Sequence, residues 1–240
     1  EYKGGGYYNP KFSPEYNSEN PKRLSEQLTD FSLDFIENNQ DDPFFLMLSH
    51  YDVHVQLDAD SSLIQKYLQK EKVKDYPCNA VYAGMIEHLD NSVGRVMEKL
   101  DELELSENTI LIFFSDNGGL IKRFDEIPLI ANPKQHYYEG DTLLYIASSN
   151  DPLRAEKGTV FEGGIREPMI VRWPGKIKAG SKSDAIISSV DFYTTLLELT
   201  GVEAPESQVL DGESLLPVFK ENEYDPERAK EMLDEIGMDQ

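Results

Sequence analysis

Residues 109–119 read TILIFFSDNGG, an apolar run that ends in a polar, glycine-rich segment. The run Thr109–Phe114 is short and almost continuously apolar, which predicts a strand buried on both faces. Upstream of it, apolar residues recur at every third or fourth position from Asn79 to Leu103, which predicts a long amphipathic helix. Helices that alternate with apolar strands predict an α/β fold with a largely parallel sheet flanked by helices.

Further elements are predicted on both sides of this stretch. Short apolar runs predict three more strands: Phe44–Leu48, Pro168–Trp173 and Ile186–Ile187. Helical spacing predicts helices over Lys22–Asn38 and Phe192–Thr200, the second capped by Asp191 and ended by Gly201. Residues 118–150 lack clear periodicity, so they are predicted to form a long functional loop.

Each of the two longest helices carries one apolar stripe, which an amphipathic helix turns towards the core. The stripe residues are Leu24, Leu28, Phe31 and Phe35 in the first helix, and Tyr82, Ile86, Leu89, Val93, Val96 and Leu100 in the second.

The carboxyl-terminal residues differ from the rest in composition. From Glu221 to Gln240 there are eight acidic and two basic residues, and Pro226 opens a short predicted helix. We therefore predict one main domain over residues 1–220 and an acidic helical tail over residues 221–240. A solvated terminal helix is the simplest interpretation of this tail.

Charge and composition exclude some classes of function. The chain has 240 residues and a formal net charge of −22, from 45 acidic and 23 basic residues. Because phosphate contacts need clustered Lys and Arg, we expect no nucleic-acid partner. A lysine or a bound metal can still attract an anion into one pocket. No apolar run is long enough to cross a bilayer, so no membrane span is expected.

Asp116 and Asn117 directly follow the predicted strand Thr109–Phe114. A carboxylate beside an amide oxygen suits a hard cation such as Ca²⁺ or Mg²⁺, and the glycines after them let the backbone turn away. An Asx-type turn that closes the strand is the alternative, because Asp-Asn-Gly sequences form such turns readily. The residues alone leave both interpretations open.

Three further side chains are candidates for contact with an anionic substrate. His54 follows the predicted strand Phe44–Leu48 and can hydrogen-bond an oxyanion or exchange a proton, although backbone groups also satisfy such histidines. Lys157 precedes Gly158 and can meet an anion as a point charge, although most lysines are simply solvated. His136, in the loop 118–150, is a weaker candidate for substrate contact. His50, four residues before His54, lies outside the helical context that a zinc pair needs.

Taken together, these segments resemble the sulfatase family of the alkaline-phosphatase-like superfamily. The resemblance spans about residues 20–220 and rests on short sequence motifs that occur in the same order as in the family. The motifs are Pro43–Leu46 with Val53-His54, Tyr82–Asp90, Ser115–Gly119, Pro152–Arg154 with Lys157-Gly158, Glu162–Arg166, Trp173–Gly175 and Asp211–Pro217. One departure is Val55-Gln56, where the family usually has Thr-Pro.

The resemblance implies a role for each candidate residue. Asp116 and Asn117 would ligate one divalent cation, Ca²⁺ or Mg²⁺, while His54 and Lys157 would hold or protonate a sulfate ester. The implied substrate is a sulfated small molecule or carbohydrate. The implied location is periplasmic, secreted or lysosome-like.

The nucleophile of the family is not encoded in this chain. Sulfatases use a formylglycine made from Cys or Ser in a Cys/Ser-x-Pro/Ala-x-Arg motif, whereas Cys78 is followed by Asn79-Ala80-Val81-Tyr82. The paired amino-terminal aspartates of the family are missing too. We therefore expect the carboxyl-side portion of a sulfatase, incomplete at its amino-terminal side and inactive alone, with the formylglycine supplied by the missing part.

Two other functions remain open at this stage. One is hydrolysis of phosphate mono- or diesters by another member of the superfamily, although those enzymes often have Asp-His where this chain has Asp116-Asn117. The other is a non-catalytic module that binds anions or carbohydrates. An upstream nucleophile motif would favour the sulfatase.

Overall fold

The computed structural model describes residues 22–123 and 127–221 of the chain. Its helices and strands, in chain order, are α1 (Leu24–Asn38), α2 (Ser61–Leu68), α3 (Ala80–Glu102), β1 (Leu111–Phe114), α4 (Glu162–Ile165), β2 (Met169–Arg172), α5 (Asp191–Thr200) and α6 (Leu216–Glu221). Short 3₁₀ helices cover Ser106–Asn108, Asn132–Tyr137 and Thr142–Leu144. The chain divides into two compact units. The first holds the described parts of residues 1–106 and 113–170, and the second those of residues 107–112 and 171–240.

Helix α3 is the centre of the first unit. Oδ1 of Asn79 accepts hydrogen bonds from the backbone N–H of Val81 (3.0 Å) and Tyr82 (3.2 Å), which caps the helix by satisfying two of its first donors. Helices α1 and α2 both pack against α3. The predicted long helix over Asn79–Leu103 is thus confirmed at Ala80–Glu102.

The core of this unit combines α2 and α3 with two connecting segments. Its fully buried apolar side chains are Leu57, Ala59, Ile64, Val81, Met85, Leu129 and Ile130. Burying each of the larger side chains stabilises the fold by roughly 1.5–3 kcal/mol. The predicted loop 118–150 is confirmed over its described residues, 118–123 and 127–150, which form short 3₁₀ helices but no α-helix or strand, although Leu129 and Ile130 within it lie in the core. Leu57 pairs with Ile130 in an isolated parallel bridge, which explains their burial.

The most buried faces of α1 and α3 are not the predicted apolar stripes. In α1 the buried residues include Ser25, Thr29 and Ser32, whereas Phe31 of the stripe is exposed. Thr29 Oγ1 lies 2.5 Å from Oγ of Ser92 on α3, so these polar groups satisfy each other between the helices. Small side chains allow this close approach, and they leave the larger apolar residues at the margin of the contact.

Within the described residues the sheet contains two strands, β1 paired with β2. They correspond to two of the predicted strands. The structure therefore combines helices with a small sheet, as expected for an α/β fold. The strands predicted at Phe44–Leu48 and Ile186–Ile187 are wrong, since neither segment has strand hydrogen bonding. A strand needs a partner for its backbone N–H and C=O groups, and the described residues supply none there.

Helix α5 begins one residue earlier than predicted, at Asp191, so Val190 occupies the N-cap position. The carboxylate of Asp191 instead accepts hydrogen bonds from the backbone N–H of Ser188 (2.6 Å) and Glu213 (3.0 Å). Gly201 ends the helix as predicted, with a left-handed φ of 66° that glycine adopts without strain. The predicted acidic tail, residues 221–240, lies outside the described residues except for Glu221, where α6 ends.

None of the helices in residues 22–123 and 127–221 has the length and apolar character needed to cross a membrane.

Candidate active site

The segment Ser115–Gly119, which we call the metal loop, directly follows β1. Ser115 Oγ donates a hydrogen bond to the backbone oxygen of Asn117 (3.0 Å), and Asn117 Nδ2 donates to the oxygen of Gly118 (3.2 Å). Among the described residues the exposed carboxylate of Asp116 accepts no hydrogen bond, so it does not close an Asx turn. The carboxylate of Asp116 therefore does not hold the loop, and its role as a cation ligand stays a prediction.

A second carboxylate, Glu167, lies near Asp116. Burial raises the pKa of Glu167, and the negative charge of Asp116 raises it further. Its Oε1 atom is buried and has no hydrogen-bond partner in the described part of the chain. Two neighbouring carboxylates repel each other unless a cation or a proton lies near them. Sequence reasoning missed Glu167, although it directly follows the motif Glu162–Arg166.

The donors at this position fit a hard divalent cation in kind but not in number. Carboxylate and amide oxygens are the ligands that Ca²⁺ and Mg²⁺ prefer, in shells of about six to eight oxygens for Ca²⁺. Across residues 22–123 and 127–221, no group of three or more His, Cys, Asp or Glu side chains is placed to hold a metal ion. Asp116 and Asn117 can therefore form only part of a metal site.

The segment Leu153–Gly164, which we call the lysine loop, packs against the metal loop through backbone groups. Lys157 N–H donates to the oxygen of Gly119 (3.2 Å), and Gly118 N–H donates to the oxygen of Gly164 (3.0 Å). Next to Lys157, the Glu156 carboxylate accepts hydrogen bonds from the backbone of residues 121 and 122. The structure thus brings Lys157 to the same loop pair as Asp116 and Asn117. We call this contact between the two loops the loop interface.

The glycines of the loop interface are required for close approach rather than for a turn. A Cβ atom on Gly118 would lie 1.9 Å from the oxygen of Gly163, and one on Gly163 would lie 2.1 Å from the oxygen of Ala155. Neither glycine has a left-handed φ. Gly118 lets the backbones of the two loops touch, whereas Gly119 leaves space for the side chain of Asn150, because an added Cβ there would lie 2.9 Å from Oδ1. A turn of the backbone away from a metal stays a prediction.

His54 is exposed and makes hydrogen bonds to residues close to it in the sequence. Its N–H donates to the oxygen of Tyr51 (2.8 Å), and its Nδ1 lies 2.9 Å from the oxygen of Val55. Because a carbonyl only accepts, Nδ1 carries the proton, which makes Nε2 the acceptor of the neutral ring. The convergence of His54 with Lys157 remains a prediction.

Two other histidines lie apart from these loops. His136 is exposed on the 3₁₀ helix Asn132–Tyr137, where its ring lies 4.1 Å from that of Tyr137 and its Nδ1 is 3.0 Å from the oxygen of Pro133. Substrate contact by His136 stays a prediction. His50 Nε2 lies 3.0 Å from Ser92 Oγ, and burial lowers the pKa of this histidine. His50 thus packs against α3 rather than forming a zinc pair with His54.

Comparison with known proteins assigns the chain to a family. Residues 4–202 match the family model described as Sulfatase. A sulfatase of Formosa agariphila is 33% identical over 214 residues, covering 84% of this chain and 34% of that protein. Human steryl-sulfatase is 32% identical over 197 residues, covering 82% and 30%.

A solved structure shares the fold of this chain. The crystal structure of Ps i-CgsB in complex with k-i-k-neocarrahexaose superposes with a TM-score of 0.67 at 29% identity, covering 86% of this chain and 40% of that chain. The chain spans about a third of the length of the curated relatives it matches. On the family match and these identities, the chain belongs to the sulfatase family.

Proposed function

We propose that this chain forms part of the active site of a divalent-metal-dependent enzyme that hydrolyses sulfate esters. The observation that carries the proposal is the loop interface, in which the lysine loop is hydrogen-bonded to the loop of Asp116 and Asn117. An ammonium group and a pair of cation ligands on two touching loops suit a substrate with an anionic ester group.

The role proposed for Lys157 is to stabilise negative charge on the sulfate oxygens. The backbone N–H of Lys157 is held by Gly119, and the neighbouring Glu156 carboxylate binds backbone N–H groups of the adjoining segment. The lysine backbone is therefore anchored at both of these points before substrate arrives. Anchoring of the backbone limits the reorganisation needed to bring the ammonium group to the ester.

Asp116 and Asn117 are the residues that would hold the cation, with Glu167 adding negative charge beside them. The cation, when bound, would polarise the sulfate ester and neutralise charge on its oxygens. His54 is proposed to donate a hydrogen bond or a proton to the ester once its Nε2 is protonated. Asp116, Asn117 and Glu167 leave the metal shell incomplete within residues 22–123 and 127–221, so we propose that further ligands complete it.

A formylglycine does not fit any position of this chain. Cys78 lies at the start of α3, where Sγ is 3.6 Å from the oxygen of Val73, and the residues after it lack the required Pro and Arg. We propose that the nucleophile comes from residues outside this chain. The isolated chain is accordingly expected to hydrolyse neither sulfate nor phosphate esters.

The fold proposed for the whole protein is a larger, mostly parallel sheet of which β1 and β2 are a part. Phe45 and Met47 are 68% and 76% exposed in an extended segment, and the apolar stripes of α1 and α3 are only partly covered. Large apolar side chains in such positions are typical of surfaces that further strands cover. This supports the expectation that the sheet is incomplete at its amino-terminal side. Residues 1–220 are proposed as one catalytic domain, followed by the tail 221–240.

The proposed substrate is a sulfated carbohydrate or small molecule. Support comes from the similar protein Ps i-CgsB, which was solved with k-i-k-neocarrahexaose bound. A periplasmic, secreted or lysosome-like location is proposed by analogy with the family.

The test uses the longer protein that carries this chain together with a nucleophile motif. Aryl sulfate and aryl phosphate hydrolysis are measured in parallel for the unchanged protein, for Lys157→Ala and for the control Lys176→Ala, an exposed lysine. We expect preference for sulfate, a loss of roughly 10²-fold or more in turnover for Lys157→Ala, and no loss for the control.

Other outcomes would reject the proposal. Preference for the phosphate ester would favour a phosphoesterase. Anion binding without hydrolysis of either ester would favour a non-catalytic module. Full sulfatase turnover by Lys157→Ala would remove this lysine from the mechanism.

A further inference from the structure

Asn150 joins three separate backbone segments at the loop interface. Its Nδ2 lies within hydrogen-bond distance of three carbonyl oxygens: those of Gly119 (2.8 Å), Ala155 (3.1 Å) and Gly163 (3.0 Å). An amide nitrogen carries two hydrogens, so the three acceptors share them. One half-buried side chain thus connects the metal loop with two points on the lysine loop.

The oxygen of Gly119 receives two hydrogen bonds at this position. One comes from Nδ2 of Asn150 and the other from the backbone N–H of Lys157. A Cβ atom on Gly119 would lie 2.9 Å from Oδ1 of Asn150, so the glycine leaves the space that the amide fills. Asn150 and Lys157 are therefore held by the same carbonyl group.

Asn150 is itself held in place by its own backbone. Its oxygen accepts a hydrogen bond from the N–H of Leu153 (2.8 Å), which closes the turn leading into the lysine loop. Three residues earlier, Ala147 N–H donates to the oxygen of Ile121 (3.1 Å), so this segment runs beside the residues that follow the metal loop. The amide consequently approaches the loop interface from a fixed direction.

The two loops touch backbone to backbone at Gly118, where an added Cβ would lie 1.9 Å from the oxygen of Gly163. Their relative position then depends on directional hydrogen bonds, to which Asn150 contributes the largest set from any one side chain at this interface.

We propose that Asn150 is a positioning residue that sets the placement of Lys157 relative to Asp116 and Asn117. It acts through the carbonyl group of Gly119, and it need not touch substrate or metal. The proposal rests on the function proposed above in so far as that placement serves sulfate ester hydrolysis.

The test substitution is Asn150→Asp, which keeps the shape of the side chain, removes both N–H donors and turns a carboxylate towards three carbonyl oxygens. The matched control is Asn79→Asp. Asn79 also donates from Nδ2 to backbone oxygens, those of Leu143 (3.0 Å) and Ile146 (2.9 Å), but it caps α3 and touches neither loop. Both changes remove comparable donors, so a merely structural effect should appear in both.

Two measurements separate positioning from stability. In this chain, amide hydrogen exchange at Lys157 and Gly118 should become about tenfold faster or more in Asn150→Asp and stay unchanged in Asn79→Asp, as expected for loss of local hydrogen bonds. In the longer protein, at a temperature where both variants are folded, Asn150→Asp should lower kcat by up to about 10²-fold with little change in KM. Asn79→Asp should keep the kcat of the unchanged protein.

Several results would overturn the inference. It fails if Lys157 and Gly118 exchange equally fast with and without Asn150, or if Asn150→Asp keeps full kcat. Should Asn150→Asp not fold, Asn150→Ala removes the same donors without charge repulsion and must give the same two effects. A longer protein that hydrolyses no sulfate ester would refute the proposed function alone, because the exchange measurement still decides whether Asn150 places Lys157.

Discussion

The helical core around α3 and the loop interface are stabilised in opposite ways. In the core, apolar side chains such as Ile64, Val81 and Met85 are fully buried and fill space between α2, α3 and their connections. At the loop interface, backbone approaches backbone through Gly118, Gly163 and Gly164, and hydrogen bonds replace side-chain packing. Both regions belong to the same unit of the chain.

Because of this difference, the core mainly determines the stability of the fold, whereas the loop interface mainly determines the positions of the charged residues. Burial of apolar area is not directional, so the core can stabilise the fold while tolerating side chains of similar volume. Hydrogen bonds between backbone groups are directional and depend on contact distances, so the loop interface can hold charged residues in place but tolerates almost no added volume. We expect core substitutions to change mainly stability and loop-interface substitutions to change mainly function.

The largest effect on stability is expected from Met85→Ala. Met85 is fully buried, and its Sδ accepts a hydrogen bond from the backbone N–H of Asp58 (3.3 Å). Truncation should lower the free energy of unfolding by about 2–5 kcal/mol, measured by urea denaturation. The control Met47→Ala, at a position that is 76% exposed, should change it by about 0.5 kcal/mol or less. Equal losses in both variants would contradict the burial described here.

A smaller effect on stability, with a larger effect on function, is expected from Gly118→Ala. The added Cβ would meet the oxygen of Gly163 at 1.9 Å, so the two loops must separate, at a cost of about 1–3 kcal/mol. The amide of Lys157 should lose its protection from hydrogen exchange. In the control Gly94→Ala on α3, a Cβ meets nothing within 4 Å, and the helix should gain up to about 1 kcal/mol. Unchanged protection of the Lys157 amide from hydrogen exchange in Gly118→Ala would contradict the close contact between the two loops.

The smallest expected effect is a pH dependence of the free energy of unfolding that arises at His88, a buried side chain of α3. Burial lowers the pKa of His88, and the positive charge of Arg23 lowers it further, which together outweigh the acidic neighbours Asp60, Asp52 and Glu26. The unfolded chain therefore binds a proton more readily than the folded one. The contribution of His88 to stability is complete above the unfolded pKa of about 6.5 and is lost as the pH falls through the lowered folded value.

Urea denaturation between pH 8 and pH 5 measures this dependence. Stability should fall with pH in the unchanged chain and fall less in His88→Gln. The exposed His136→Gln serves as the control and should keep the slope of the unchanged chain. Protection of the Lys157 amide by the loop interface should not follow the titration of His88. A stability that rises as the pH is lowered would contradict the burial of a neutral His88.

Local sequence patterns predicted the elements whose hydrogen bonds are local. The helices around Leu24–Asn38 and Ala80–Glu102 were predicted within a few residues, because helical hydrogen bonds join residues four apart and the pattern repeats at that spacing. The glycine at position 201 was predicted as a helix end for the same reason. Loop residues with charged or ligand-type side chains, Asp116 and Lys157 among them, were also visible as patterns in the sequence.

Tertiary contacts decided which helix faces are buried and which apolar segments form strands, and the local patterns did not predict either. Periodicity located an apolar stripe on α3, but its buried residues include Ser92, which contacts Thr29 of α1, and His88, whose Nε2 lies 3.5 Å from the backbone N of Asp60. Apolar runs predicted strands at Phe44–Leu48 and Ile186–Ile187, but a strand forms only where a distant segment offers a partner.

By itself, the sequence determined helices α1, α3 and α5, the family and the candidate residues Asp116, Asn117 and Lys157, whereas α2, α4 and α6 were not predicted. Only the tertiary structure revealed that Glu167 lies beside Asp116 and that Asn150 binds three separate carbonyl groups. The physical reason is that these interactions join residues that lie between 5 and 51 positions apart in the sequence, and no local pattern encodes which of them meet. Side-chain chemistry can be read along the chain, whereas the meeting of two loops depends on how all the intervening residues pack.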